Sequence, residues 1–307
     1  MNLLKINYFS IFVVVYTLIN ILIGVVVRST GSGAGCGVSW PSCNGAIFIS
    51  GSVQSELIEY IHRLSSGINL LLVILLFLII IKFLRNNHNA VLFSALSVCF
   101  IFIEAGIGAF IVFYQWVADN SSMGRAIVVP FHLVNTFFLM FFLIATTWIL
   151  FQNNRLNLNF KILSLSHWKK FLFGFLLFFL LSTSGATSAL ADTLFEAIDL
   201  KSELLSDISG NAHILSRIRI FHPIIAICTV FWITYCSKNI NLIYKNKIMK
   251  RLYNYLIFSF IIEFCIGILN VLLLVPIFLQ IVHLLIAHLV WTFMVIFLLE
   301  GVKIESN

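Results

Sequence analysis

Four histidines, His62, His132, His222 and His283, each stand near one end of a long apolar stretch. An imidazole buried in lipid is costly unless something takes its lone pair, and haem iron is one such acceptor. His62 and His132 are 70 residues apart and His222 and His283 are 61 apart, so the four divide into two pairs. Two imidazoles from facing helices fill both axial positions of one iron, whereas a bare tetrahedral ion needs more ligands than either pair offers. One such histidine alone reads equally well as a structural hydrogen-bonder; four at one level, two per half, favour ligation. His288 competes with His283, one turn deeper in the same stretch, while His88, His167 and His213 fall between stretches and are expected to be solvated.

Glu59 precedes His62 by one helical turn on the same face, and Arg219 holds the matching place before His222. A carboxylate beside bound iron can accept a proton or hold a water, so the two halves should differ in task. The plainer alternative is a surface residue or an ion pair with Arg63. Glu104 and Glu263 lie deeper and fit either protonated hydrogen-bonders or a proton route. Cys36 and Cys43 share a glycine-rich segment, Thr30-Gly-Ser-Gly-Ala-Gly-Cys-Gly-Val-Ser-Trp-Pro-Ser-Cys-Asn-Gly45, which outside the cytoplasm favours a disulfide in a loop folded back over a site. A structural staple and a redox role both remain open. Cys99, Cys228, Cys236 and Cys265 read as small apolar fillers. The glycines lack the strand-to-helix context and the Lys-Ser/Thr ending of a phosphate loop.

The elements that position these residues are membrane helices. The 307 residues are 61% hydrophobic and 10% charged, with a mean hydropathy of +1.05, which excludes an ordinary soluble domain. Apolar runs at 8–27, 57–84, 90–114, 126–151, 171–190, 218–236, 252–275 and 276–299 each approach the ~20 residues needed to cross the hydrocarbon core. The last two require a tight turn at Val275-Pro276. The net charge of +7 is no nucleic-acid patch, because the basic residues alternate between loops. Lys82 and Arg85, then Arg155, Lys161, Lys169 and Lys170, then Lys238, Lys245, Lys247, Lys250 and Arg251 follow spans two, four and six, with Lys5 and Lys303 at the ends. The opposite loop at 191–217 carries Asp192, Glu196, Asp199, Glu203 and Asp207. Both termini are therefore expected in the cytoplasm, and all four histidines in the outer half of the bilayer. The first run, lacking a small-residue cleavage site, is expected to be a retained span of a bacterial or archaeal cell membrane protein.

The halves repeat. Glu104-Ala-Gly-Ile-Gly108 matches Glu263-Phe-Cys-Ile-Gly267, His132-Leu133 matches His283-Leu284, and Thr30-Gly-Ser-Gly has a looser echo in Thr183-Ser184-Gly185. The expected fold is all-α, eight transmembrane helices in two pseudo-symmetric four-helix bundles. Residues 1–155 would form an N-terminal unit with an outer loop at 29–56, and 156–307 a C-terminal unit.

The run Gly24-Val-Val-Val-Arg28-Ser-Thr30-Gly-Ser-Gly33-Ala-Gly35-Cys36 with Trp40-Pro41-x-Cys43-x-Gly45, then Glu59-x-x-His62-Arg63, His132-Leu133, His222 and His283, resembles the haem A synthase family of the cysteine-containing bacterial type. The resemblance covers nearly the whole chain and is most specific in its first 70 residues. It implies that the N-terminal unit is catalytic, with His62 and His132 ligating haem O and Glu59 serving the chemistry, and that His222 and His283 hold haem b. It further implies oxidation of the haem O C8 methyl group to a formyl group, giving haem A for cytochrome oxidase. A haem O-forming farnesyltransferase and an oxidase assembly factor are implied partners, an electron acceptor is required, and homo-oligomerisation is left open.

Two features depart from the family. The fifth span ends in an acidic segment where an aromatic and proline-containing run is usual, and His222-Pro223 stands where His-Arg is commoner. Two rival readings accompany this one: a bis-haem membrane cytochrome that relays electrons, and a haem carrier or assembly factor without catalysis. The relay gives Glu59 and the cysteine loop no role.

Overall fold

A computed structural model describes residues 2–49, 51, 53–152, 158–195, 199–202, 213–244 and 246–303. Arg155, Lys245, Glu196, Glu203 and Asp207, and the expected boundary at 155–156, lie outside the described residues. Nine helices are described: α1 Leu3–Ser29, α2 Gln54–Leu84, α3 His88–Phe113, α4 Met123–Phe151, α5 Ser166–Leu194, α6 Ile214–Arg219, α7 Phe221–Tyr244, α8 Lys247–Leu272 and α9 Ile277–Gly301. The short α6 leads into α7, so that eight spans of 25 to 31 residues are long and apolar enough to cross a membrane. This is a multi-pass membrane protein, as its composition demands.

Polar residues set where these helices begin. Helix termini leave backbone N–H groups without partners, and the side chains of Asn2, Asn87, Ser122, His213 and Asn246 accept them at the starts of α1, α3, α4, α6 and α8. The tight turn expected at Val275-Pro276 is present. Leu274 and Val275 both take left-handed backbone, φ 57° and 54°, a conformation unusual for a β-branched residue. Val275 N donates to Asn270 O at 2.7 Å and Gln280 Nε2 donates to Val275 O at 2.7 Å, closing the reversal.

Within the N-terminal half α1 packs on α2 and α4, and α3 on α2 and α4; in the other half α7 packs on α5 and α8, and α8 on α9. α4 meets both α5 and α9, and α1 meets α9. Where the halves join, the aromatic core is densest. Trp291 lies among Phe137, Phe175, Phe178 and Phe179, and its Nε1 donates to Phe137 O at 2.9 Å. Toward the other end of the spans, Gly301 permits the closest approach. A Cβ there would stand 2.1 Å from the Trp168 ring. Arg28 of α1 reaches across the same junction, donating to Ala189 O (2.6 Å), Thr193 Oγ1 (3.0 Å) and Gln280 Oε1 (2.5 Å).

Two expectations are corrected here. Cys99, Cys228 and Cys265 are exposed and only Cys236 is buried, so three of the four thiols lie on the outer surface of the helices rather than fill gaps. His167 is part of α5, set against Trp168 and Tyr244 with a buried Nε2, because the helix starts before the apolar run does. His88 and His213 are exposed, at the first turns of α3 and α6.

Trp291→Ala removes the shared ring of the junction and a buried hydrogen bond. It is expected to cost ~3–5 kcal/mol, read as a lowered melting temperature in detergent; an unchanged melting temperature contradicts this account of the junction.

Candidate functional site

All four candidate ligands fall within the first ten residues of α2, α4, α7 and α9. These helices carry the even-numbered spans, which start on the same side of the molecule. His62 lies within electrostatic range of His132, and His222 of His283.

Each ring leaves its Nε2 without a hydrogen-bond partner among the described residues. His132 and His283 retain 28% and 31% side-chain exposure, so these imidazole edges face open space rather than packed atoms. At the other two rings glycine lets a neighbouring helix come close. A Cβ on Gly24 of α1 would meet His62 Cε1 at 3.2 Å, and one on Gly185 of α5 would meet His222 Cε1 at 2.9 Å. Paired open imidazoles seated on glycine form a donor set that fits a six-coordinate iron porphyrin. Among the described residues no group of three or more His, Cys, Asp and Glu side chains could enclose a bare metal ion.

The Nδ1 atoms are treated unequally. His222 Nδ1 is 3.0 Å from Ser184 Oγ, His283 Nδ1 is 3.2 Å from Glu263 Oε1, and His132 Nδ1 is 3.4 Å from Glu104 Oε1. None of the Nδ1 atoms of His62, His132 and His283 has a hydrogen-bond partner among the described residues, and His62 also lacks a carboxylate or hydroxyl beside it. His288 is no ligand candidate. It is 1% exposed, stacked on Phe137 at 4.6 Å, with Nδ1 2.9 Å from Leu284 O.

Glu59 is neither solvated nor free. It is 3% exposed and its Oε1 accepts from Arg63 Nε at 3.1 Å and Nη2 at 2.5 Å, so the alternative of an ion pair with Arg63 is realised in a buried form. Oε2 accepts from Cys36 N at 2.7 Å. Arg63 Nη1 also donates to Ser42 O at 2.6 Å and to Ser39 O. Cys36 and Cys43 are bonded to each other and buried. The loop thus lies down on the start of α2, and only glycine at 35 allows it, since a Cβ there would stand 2.5 Å from the Ser55 backbone. In the other half Arg219 is turned to α5, its Nη1 2.6 Å from Asp192 Oδ1.

Several of these roles were not read from the sequence. The multiple grip of Arg63 on the loop carbonyls and the reach of Arg28 have no short-range signal. The echo of Thr30-Gly-Ser-Gly in Thr183-Ser184-Gly185 is corrected. Gly185 corresponds in space to Gly24, and the signal was spacing, Gly24 standing 38 residues before His62 and Gly185 37 before His222.

A family model described as cytochrome oxidase assembly protein, COX15-CtaA, matches residues 49–295. A Thermus thermophilus protein named protoheme IX farnesyltransferase is 34% identical over 280 residues, 91% of this chain and 45% of its own length. Haem A synthases of an Exiguobacterium species and of Macrococcus caseolyticus are 34% and 36% identical over 111 residues, 36% of this chain and 37% of theirs. The chain spans less than half the length of the curated relatives it matches.

Arg63→Met strands the Glu59 carboxylate without its counter-charge, and breaking one partner of a buried pair costs ~3–5 kcal/mol. Faster proteolysis of the 37–47 segment and a lowered melting temperature are expected, both partly restored by adding Glu59→Gln. Wild-type behaviour of Arg63→Met contradicts the anchoring role.

Proposed function

The chain belongs to the COX15-CtaA family of cytochrome oxidase assembly proteins, and on that premise we propose that it oxidises the C8 methyl group of haem O to a formyl group, making haem A for cytochrome oxidase. Two facing imidazole pairs support two porphyrins, and the observation that carries the reading is the inequality between them. Among the described residues, the N-terminal pair alone has beside it a carboxylate that is ion-paired to an arginine and bonded to a disulfide-closed loop. Residues 1–155 then form the catalytic unit and 156–307 the unit that keeps haem b on His222 and His283.

In this reading His62 and His132 hold the substrate, and the bound iron porphyrins supply the redox chemistry that a weakly acidic methyl C–H bond requires. His62 and Glu59 are successive turns of one helix, so the carboxylate is carried at a fixed distance from the ligand. A carboxylate offers about four lone-pair positions. Arg63 and Cys36 take three of those on Glu59 and the Gly35 backbone N–H approaches as well, so this carboxylate would be the place for a proton leaving the reaction by exchange of one of these partners. The glycine-rich loop, pinned by Arg63, covers that place and limits access of bulk water. Apolar helices around the site suit the farnesyl tail of haem O, so substrate and product stay within the bilayer. The positive-inside pattern puts the site toward the extracytoplasmic side.

The Thermus thermophilus relative supports a partner. A protein named for haem farnesylation matches nearly all of this chain over 45% of its length, and haem farnesylation yields the substrate proposed here. Direct delivery from a haem O-forming farnesyltransferase within the membrane follows.

Co-expression with a haem O producer, followed by pigment extraction and chromatography, tests the reading. Haem A should accumulate with the wild-type chain and fall at least ~100-fold with Glu59→Ala, within the range lost with a general acid or base, while haem b persists. Unaltered haem O in the presence of folded wild-type protein contradicts the enzyme and leaves a relay or carrier.

A further inference from the structure

The Nδ1 partners of the four histidines differ in a way that the repeat does not require. When imidazole gives its Nε2 lone pair to a metal, Nδ1 carries the hydrogen, and an acceptor there fixes both tautomer and ring orientation. In the C-terminal half Ser184 Oγ stands 3.0 Å from His222 Nδ1, and Glu263 Oε1 stands 3.2 Å from His283 Nδ1, at ion-pair distance without hydrogen-bond geometry. Glu263 has no hydrogen-bond partner among the described residues, and its Oε2 is buried and unpaired. The N-terminal half is looser on both counts. His62 Nδ1 has no acceptor at all. The carboxylate near His132 is shared, with Thr136 Oγ1 donating to Glu104 Oε1 at 2.8 Å and Asn135 Nδ2 to Oε2 at 2.5 Å.

We propose that Glu263 and Ser184 are positioning residues that lock the C-terminal imidazoles for a permanently held porphyrin, and that His62, unlocked, is the ligand that lets go when a porphyrin enters or leaves the N-terminal half. The inference rests on the functional reading above. It gives that reading a physical basis for exchange, since a substrate site must release what it binds and a cofactor site must not. Glu263 acts through His283 alone. Its acceptor strengthens the imidazole as a donor to iron, which favours the oxidised metal and lowers the reduction potential.

The test uses the full-length chain in detergent with haem b as the probe. His62→Ala leaves the C-terminal site to be followed alone, and His222→Ala the N-terminal one. Transfer of haem to apomyoglobin should be at least ~10-fold faster from the His222→Ala protein than from the His62→Ala protein. Within the His62→Ala background, Glu263→Leu should speed transfer by ~10–100-fold, the usual cost of losing such a partner, and raise the midpoint potential. Glu263→Gln keeps the shape and an oxygen acceptor but weakens it, so the potential should rise while transfer changes less than in Glu263→Leu. Ser184→Ala should also speed transfer. Equal transfer rates from the two halves, or a midpoint potential unmoved by Glu263→Gln, overturns the inference while the functional reading stands. A folded wild-type chain that takes up no haem ends both.

Discussion

An imidazole inside a bilayer is costly unless something takes its lone pair, and the proposed haem ligation would meet that demand four times. Each of the four histidines falls within the first ten residues of its helix. His132 and His283 keep about a third of their side chains exposed, and glycine, not a larger residue, lies against His62 and His222. His288 marks the contrast: one turn from His283, it meets the same demand through a backbone carbonyl and an aromatic stack.

The two halves use their nearest charges differently. In the first, Glu59 and Arg63 form a buried pair that also holds the outer loop, so a single ionic contact joins α2, which carries His62, to the disulfide segment. In the second, the arginine before the ligand turns to Asp192 and ties α7's approach to α5. Arg28 joins the halves through a carbonyl, a hydroxyl and an amide. A few polar positions thus distinguish the surroundings of the two histidine pairs.

What was legible in the sequence depended on how local its cause is. The eight spans are readable because crossing a bilayer needs a fixed length of apolar helix, and the histidine pairs because charge and imidazole stand out against that background. The Cys36–Cys43 bond follows from seven residues of separation in a glycine-rich loop. Helix faces were not readable. In lipid both the inward and the outward sides are apolar, so the 3.6-residue contrast that marks the buried face of a soluble helix is missing. For that reason Cys99, Cys228 and Cys265 were assigned to the interior, and Glu104 and Glu263 were left without partners. The register of Gly185 was misread because local likeness to the Thr30 segment outweighed its distance from the histidine.

The central claim is that each half grips one iron porphyrin between its two histidines. It is tested most directly by counting haem per chain in purified protein supplied with excess haem, together with electron paramagnetic resonance of the oxidised form. Two haems per chain with low-spin, bis-imidazole signals, one lost with His132→Ala and the other with His283→Ala, is the predicted result. A folded, colourless protein, or haem content indifferent to those two histidines, would contradict it.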